Sequence, residues 1–424
     1  MQVRESEGYW PGADRMNILN ILIFHGLSRP ICGGQSRYWN LTSQLAKRDN
    51  TVFVLENPDF LDGKDSNIAK VAVYKELRIM HRTLCVLRDL NPSFIREAAR
   101  ILREKEIQLV LISYPSGAFV VKLLSLLLGK KIPLVYDAHN VESEFVAETF
   151  ANEERYSELE RTILPLYVKV LERFVCRHIV DYITSVSSRD KNMFVRTYGV
   201  SPARVFVIPT GAEIPTLMDK ATKLQTRKRL GIDTAAFVVL FHGIYSHPAN
   251  KEAFDLITDY IAPKFRSSKR RVCFALCGTN VPKFQKDNIV SFGFVPNLRD
   301  YLSIADLAIA PIRHGAGVKV KVFDYISMGL PLITTTKGAE GINLKDGEHA
   351  VIVDDVDERF IAAMEHLIDN EGERHRLAAN ARILAVQEYD WERIGEKMDR
   401  LLRELVESRM KSATSGSENI IPRN

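Results

Sequence analysis

Ala310–Thr336, APIRHGAGVKVKVFDYISMGLPLITTT, runs from the end of one strand through a loop and a helix to the next strand, a β-loop-α-β pattern. An apolar strand ends at Pro311, and a loop with Gly315 and Gly317 follows. A helix is expected over Val318–Met328, with Val318, Val322, Tyr325 and Ile326 as its buried stripe. The next strand is Pro331–Thr335. The first strand is apolar throughout and the second is apolar until Thr334, the mark of strands covered on two faces in a parallel sheet.

The same rhythm extends in both directions. Upstream, Phe237–Phe241, Val272–Cys277, Ile289–Phe294 and Leu307–Pro311 read as strands, with helices Asn250–Tyr260 and Leu298–Ala305 between them. Downstream come strand His349–Val353 and helices Glu358–Asn370, Gly372–Gln387 and Trp391–Met410. The first half repeats the pattern. Its strands are Asn17–Phe24, Thr51–Leu55, Gln108–Ile112, Ile132–Tyr136, His178–Val186 and Arg204–Ile208. Its helices are Gln35–Arg48, Pro92–Lys105, Gly117–Leu128, a long amphipathic one over Glu153–Arg177 interrupted by Pro165, and Ser188–Tyr198. Two consecutive runs of alternating strands and helices imply an α/β protein with two Rossmann-like, doubly wound domains facing a cleft. The expected division is a flexible N-terminus at 1–15, a first domain at 16–212, a second at 213–390, a helix at 391–410 and a disordered tail at 411–424. The seam falls near Pro209–Lys220.

Composition narrows the class. Hydrophobic residues form 46% and charged residues 26% of 424, which excludes disordered and fibrous chains. A net charge of +5 is too small for a nucleic-acid-binding surface, so no nucleic-acid partner is expected. Five scattered cysteines form no CxxC pair and have no metal-ligand spacing, so buried free thiols in a reducing compartment are expected. The polar start, MQVRESEGYWPGADR, has no signal-peptide core. The longest apolar stretch, Ala118–Gly129, is too short to span a bilayer and contains Lys122. A cytoplasmic protein is expected, free or attached at the inner membrane face. The helix Pro92–Lys105 carries Arg96, Arg100, Arg103 and Lys105 beside Phe94, Ile95, Ala98 and Leu102. It either lies on an anionic surface or packs on its own sheet.

Ligands of doubly wound sheets sit beyond the carboxyl ends of the strands, so three strand-end segments are candidates. In His25–Gln35, HGLSRPICGGQ, the pair Gly33–Gly34 either lets backbone N–H groups approach an anion or makes a bare turn. In Tyr136–Glu144, YDAHNVESE, four polar residues exceed what a helix cap by Asn140 needs. His139 is placed to donate to a substrate hydroxyl. In the third, Gly315, Gly317, Lys319 and Lys321 surround a helix start, where lysines oppose the helix dipole unless an anion joins them. Asp324 follows one turn beyond Lys321 and either lies at a ribose or pairs with that lysine on the surface.

Several of these segments together resemble the GT-B glycosyltransferases of retaining family 4. They are GGQSRYWNLTSQLAKR, YDAHNVESEF, VFVIPTGAEIP, LFHGIYSHPANKEAFDLI and GFVPNLRDYLSIADLAIAPIRHGAGVKVKVFDYISMGLPLITTTKGAEGI. The likeness runs from about Met16 to the last helix. It implies a first domain for a glycan or lipid-linked acceptor and a second for a nucleotide-sugar donor. It implies a last helix that crosses back to close the cleft.

By that resemblance His139 contacts the transferred sugar and Lys321 the diphosphate, and these two are the catalytic candidates. Gly33, Gly34, Gly243, Gly315, Gly317, Lys319 and Asp324 complete the donor site, with Asp324 at the ribose. The sequence departs from the family in having Ala316 eight residues before Asp324, where a glutamate is frequent, and in lacking an arginine within HGIYSHPAN. Lys319 is expected to supply the missing charge. The implied activity is retaining transfer of a sugar from a nucleoside diphosphate, with no cofactor and no metal. A nucleotide-sugar epimerase, a phosphorylase and a non-catalytic sugar-nucleotide binder are the rival readings.

Overall fold

The computed structural model describes residues 15–22, 33–56, 68–73, 78–79, 82–83, 91–151 and 157–415. In the first half the strands are β1 (Asn17–Ile21), β2 (Thr51–Glu56), β3 (Ala69–Val73), the short pair β4 (Arg78–Ile79) and β5 (Arg82–Thr83), then β6 (Leu109–Ile112), β7 (Leu134–Ala138), β8 (Tyr182–Ser185) and β9 (Val205–Val207). The helices are α1 (Gly33–Ala46), α2 (Pro92–Glu104), α3 (Ala118–Leu127), α4 (Glu142–Ala151), α5 (Glu158–Phe174) and α6 (Ser188–Tyr198). Seven strands form one parallel sheet in the order β3-β2-β1-β6-β7-β8-β9.

The second half contains α7 (Lys220–Arg229), β10 (Phe237–His242), α8 (Pro248–Leu256), the single turn α9 (Ala262–Lys264), β11 (Val272–Cys277), β12 (Phe284–Lys286), β13 (Ile289–Gly293), α10 (Leu298–Ser303), β14 (Leu307–Ala310), α11 (Val320–Ser327), β15 (Leu332–Thr335), β16 (Val351–Val353), α12 (Glu358–Asp369), α13 (Glu371–Glu388) and α14 (Trp391–Ser415). Its sheet runs β12-β13-β11-β10-β14-β15-β16, parallel except for the β12 edge. Each sheet is doubly wound, as the alternation implies. The winding reverses between β1 and β6 in one and between β10 and β14 in the other, and such reversals open a crevice at the strand ends.

The last helix crosses back. Trp391, Ile394, Met398, Leu401, Leu402 and Leu405 of α14 join the core of the first half beside Tyr38, Leu41 and Leu45 of α1. It runs to Ser415, so the expected disordered tail begins with five helical residues; 416–424 lie outside the described residues.

Other expectations need correction. After the seam comes a helix the sequence reading did not include, α7, which is polar and held by Lys223 and Arg227, whose side chains both reach Asp306. Pro165 does not interrupt α5, which continues into a π-turn at Val175–Ile179. The strand expected at Ile132–Tyr136 lies two residues later and takes in Asp137, a carboxylate the sheet tolerates because Arg37 and Thr184 satisfy it. The apolar face of α2 is occupied: Phe94, Ala98, Ile101 and Leu102 are buried in the core, so this helix packs on its own sheet. Cys176 and Cys277 are buried free thiols, and Cys273 is partly buried. Among the described residues no helix is long and apolar enough to cross a membrane.

Candidate functional site

The reversal between β10 and β14 brings two loops and two helix starts together. After β10 the chain passes Gly243 and enters α8, capped at His247 without a side-chain hydrogen bond. After β14 it passes Gly315 and Gly317 and enters α11, whose N-cap Lys319 also gives no side-chain cap. Two helix N-termini with backbone N–H groups left for other acceptors thus lie at one crevice, a setting that favours an anion.

The lysines divide the work. Lys319 lies one residue before α11, not in its first turn as expected, because Gly317 at φ +75° turns the chain just before it. Its ammonium donates to the carbonyls of Gly315 (2.5 Å) and Gly317 (2.6 Å), closing the loop on itself. Lys321 is 8% exposed and donates to Asn250 Oδ1 at 2.5 Å, with its ammonium 4.3 Å from the centre of the Phe241 ring. Gly243 makes room for it: a Cβ there would lie 3.0 Å from the Asn250 side chain and 3.1 Å from Lys321 Nζ.

Burial, reinforced by neighbouring positive charge, lowers these groups. Lys319 falls to about 8, with Lys337 adding to the burial. Lys321 falls to about 7, with Lys319 adding. His247 falls to about 4, with both lysines adding. Such clustering of depressed cations marks a place where charge is waiting for a partner.

Asp324 does not pair with Lys321. Its carboxylate lies 3.4 Å from His242 Nε2, and the His242 ring stands edge-on to Tyr325. The surface lysine–aspartate pair is therefore absent, and Asp324 is left partly exposed at the crevice with a 30% accessible side chain.

The first sheet supplies the facing wall. His139 follows β7 directly and is 6% exposed, its ring tilted against that of Tyr38 with centroids 4.2 Å apart. Its Nε2 is 3.5 Å from Asp137 Oδ2, and neither ring nitrogen completes a hydrogen bond among the described residues. Burial outweighs the carboxylate and lowers its pKa, keeping the imidazole neutral near pH 7. Burial alone would raise Asp137, yet the Arg37 guanidinium and His139 hold it well below the usual carboxylate range. Arg37 donates to both carboxylate oxygens, at 2.6 and 3.2 Å, and to the Pro209 carbonyl at 2.8 Å. Gly33 and Gly34 open α1 on the same side as this pair; residues 25–32 of their loop lie outside the described residues.

The walls touch. Gly317 abuts Asn140, and a Cβ on that glycine would lie 2.1 Å from Asn140 Oδ1. Asn140 therefore faces the opposite loop and does not cap α4. That duty falls to Glu172, whose buried carboxylate accepts from the backbone of Glu142 and Ser143 at 3.0 Å each. Arg189 to Glu340 (3.0 Å) and Lys337 to Glu148 (3.3 Å) join the halves further along.

Sequence reasoning missed Arg37, His242 and Asn250, and read Asn140 as a helix cap. Arg37 gave no signal, being one arginine on a helix whose partner lies a hundred residues on. Asn250 was legible only as the polar first residue of a helix after a strand.

The comparisons agree with this architecture. The model of glycosyl transferases group 1 matches residues 236–370, and that of glycosyltransferase family 4 matches 32–214. A D-inositol 3-phosphate glycosyltransferase of Thermomonospora curvata is 22% identical over 57% of the chain, a match spanning 60% of that relative's length. Among solved structures, HepE of Anabaena in complex with UDP-glucose shares 14% identity over 92% of this chain and 100% of its own, with a TM-score of 0.67. Sucrose-phosphate synthase of Thermosynechococcus elongatus shares 15% over 93% and 100%, with a TM-score of 0.71. With one family model matching each half and a GT-B fold throughout, the chain belongs to the group 1, family 4-like glycosyltransferases.

Proposed function

We propose that the chain moves a sugar from a nucleoside diphosphate-sugar to a hydroxyl of a saccharide or lipid-linked saccharide, with retention at the anomeric carbon. The observation that carries this reading is Lys321: a buried amine without an ion-pair partner among the described residues, set between two helix N-termini. HepE is solved with UDP-glucose, and the same fold here presents these groups at the β10–β14 reversal.

The leaving group of the reaction is a diphosphate, so stabilising its growing charge is the main contribution asked of the protein. Lys321 gives that charge directly. Lys319 holds the Gly315–Gly317 loop in shape, so its N–H groups face one point, and the α8 start adds a second dipole. Asp324 accepts from the ribose hydroxyls. His139, neutral and with an uncommitted ring nitrogen, donates to or accepts from a hydroxyl of the transferred sugar. Gly33 and Gly34 bring the α1 N-terminus to the phosphates. Positive charge comes from the chain itself, so neither a divalent metal nor a cofactor takes part.

The test incubates the full chain with a panel of nucleoside diphosphate-sugars and saccharide acceptors in EDTA, reading product anomers by NMR. Transfer with retained configuration is expected. Inversion, or turnover that EDTA abolishes and a metal restores, would overturn the mechanism.

A further inference from the structure

Thirteen large hydrophobic side chains are exposed on the described residues, and nine of them lie on two helices. Phe119, Leu123, Leu126 and Leu127 line α3. Leu159, Ile163, Leu166, Val170 and Phe174 line α5 at helical spacing, with Leu127 73% and Leu159 67% accessible. Scattered exposed hydrophobics are ordinary on a soluble protein, but two continuous stripes are not.

The two helices are neighbours. The crossovers β6-α3-β7 and β7-α4-α5-β8 step the same way along the sheet, and right-handed crossovers then place their helices on one face. Both bury their inner sides in the same core, through Val120 and Val121 on α3 and Leu171 on α5. The stripes therefore share an outward surface.

Its charge is predominantly positive. Lys131, Lys169, Arg173 and Arg177 are exposed around it, against one exposed acid among the described residues, Glu158, at the start of α5. The acidic Glu172 is fully buried under α4, and Asp181 is committed to Lys122 and Arg409. A second copy of the chain docked about a two-fold axis would press this cationic rim against itself. An anionic lipid surface complements both the rim and the apolar stripes.

The position is apt for a membrane. Glu172 meets the N-terminus of α4, so it stands level with the carboxyl end of β7. From there α4 and the preceding part of α5 project together past the sheet, α5 by about 20 Å at 1.5 Å per residue. The projecting α4 is tied to the second half by Glu148–Lys337. The stripe on α5 thus runs beside the mouth of the cleft.

We infer that the α3–α5 face is a membrane-docking surface, which inserts Leu126, Leu127, Leu159, Ile163, Leu166 and Val170 among the headgroups of an anionic bilayer. Its placement deepens the proposed use of lipid-linked acceptors, yet its test reads binding alone, so failure here leaves the transfer reaction untouched.

The full chain is floated with vesicles of phosphatidylcholine and phosphatidylglycerol, and with phosphatidylcholine alone. The parent should float with the mixed vesicles, less so at high salt, and poorly with phosphatidylcholine. Leu166→Glu with Val170→Glu should lower partition by roughly tenfold or more. Ile383→Glu, an exposed apolar position on α13, should leave it unchanged. Both sites are exposed, and a melting curve matching the parent checks folding; Leu166→Ser with Val170→Ser serves if the double glutamate fails. A parent that stays in the soluble fraction, or a double variant that floats as well, overturns the inference. So does a parent of twice the 48.1 kDa chain mass that the double variant reduces to a monomer without any vesicle binding.

Discussion

Lys321 makes donor binding a proton-uptake reaction. Burial and the nearby Lys319 hold its amine at about 7, against 10.5 for an ordinary lysine, a gap of about 5 kcal/mol in favour of the neutral form. One negative charge about 4 Å away returns about 4 kcal/mol at an effective permittivity near 20, and a diphosphate brings two. The ligand's field therefore exceeds the burial cost, and in the complex the amine is charged across the neutral range. At pH 8 the free amine is about 90% neutral, so each bound nucleoside diphosphate-sugar should draw close to one proton. Calorimetric titration at that pH in Tris and in phosphate reads this number from the dependence of the enthalpy on buffer. The Kd should rise roughly tenfold per pH unit between pH 8 and 9. Lys321→Met should abolish the uptake and flatten the pH profile. Folding responds with the opposite sense: between about pH 7 and 10.5 the unfolded chain holds a proton the folded one lacks, so this group adds stability as pH rises. A parent enthalpy independent of buffer, with a flat Kd from pH 6.5 to 9, would refute the placement of Lys321 at the phosphates.

Kinetics separate the roles of the other residues. Lys321→Ala should lower kcat by roughly 10²–10³-fold, as for loss of one donor to a developing anion. Asp324→Ala should chiefly raise the donor KM, by about tenfold to a hundredfold, because ribose contacts are the same in ground and transition states. His139→Ala should lower kcat by roughly tenfold to a hundredfold while the melting temperature moves little; an equal loss of both would make it a core residue. Arg37→Met should cost about 3–5 kcal/mol of stability in denaturant unfolding, since it leaves Asp137 buried without its counter-ion; a loss under 1 kcal/mol would contradict this.

Elements with strong local punctuation are legible in the sequence alone. Ser188–Tyr198 matches its helix end to end because Ser187 caps one terminus and Gly199, at φ +67°, closes the other. Val272–Cys277 matches because six apolar residues in a row suit a central strand. What failed was decided by distant partners. Asp137 looked like a loop residue, since nothing nearby shows that Arg37 waits a hundred positions upstream. The start of α4 depends on Glu172, thirty residues later. Helix α7, KATKLQTRKR, has almost no apolar stripe and is anchored through Asp306 instead. In the site, the glycines and lysines were found because their positions at a strand end are unusual in themselves. Asn250 and His242 acquire meaning only from Lys321 and Asp324 across the crevice. The stripe on α5 shows the limit of periodicity: its spacing predicts an apolar face but not whether core or solvent covers it.

The central claim is that the β10–β14 reversal holds the donor's diphosphate, and a crystal structure of the full chain with a nucleoside diphosphate tests it most directly. The account predicts phosphate density within hydrogen-bond reach of Lys321 Nζ and the N-termini of α8 and α11, with the ribose at Asp324. Nucleotide bound only to the loops of the first sheet, or clear of Lys321, would contradict it.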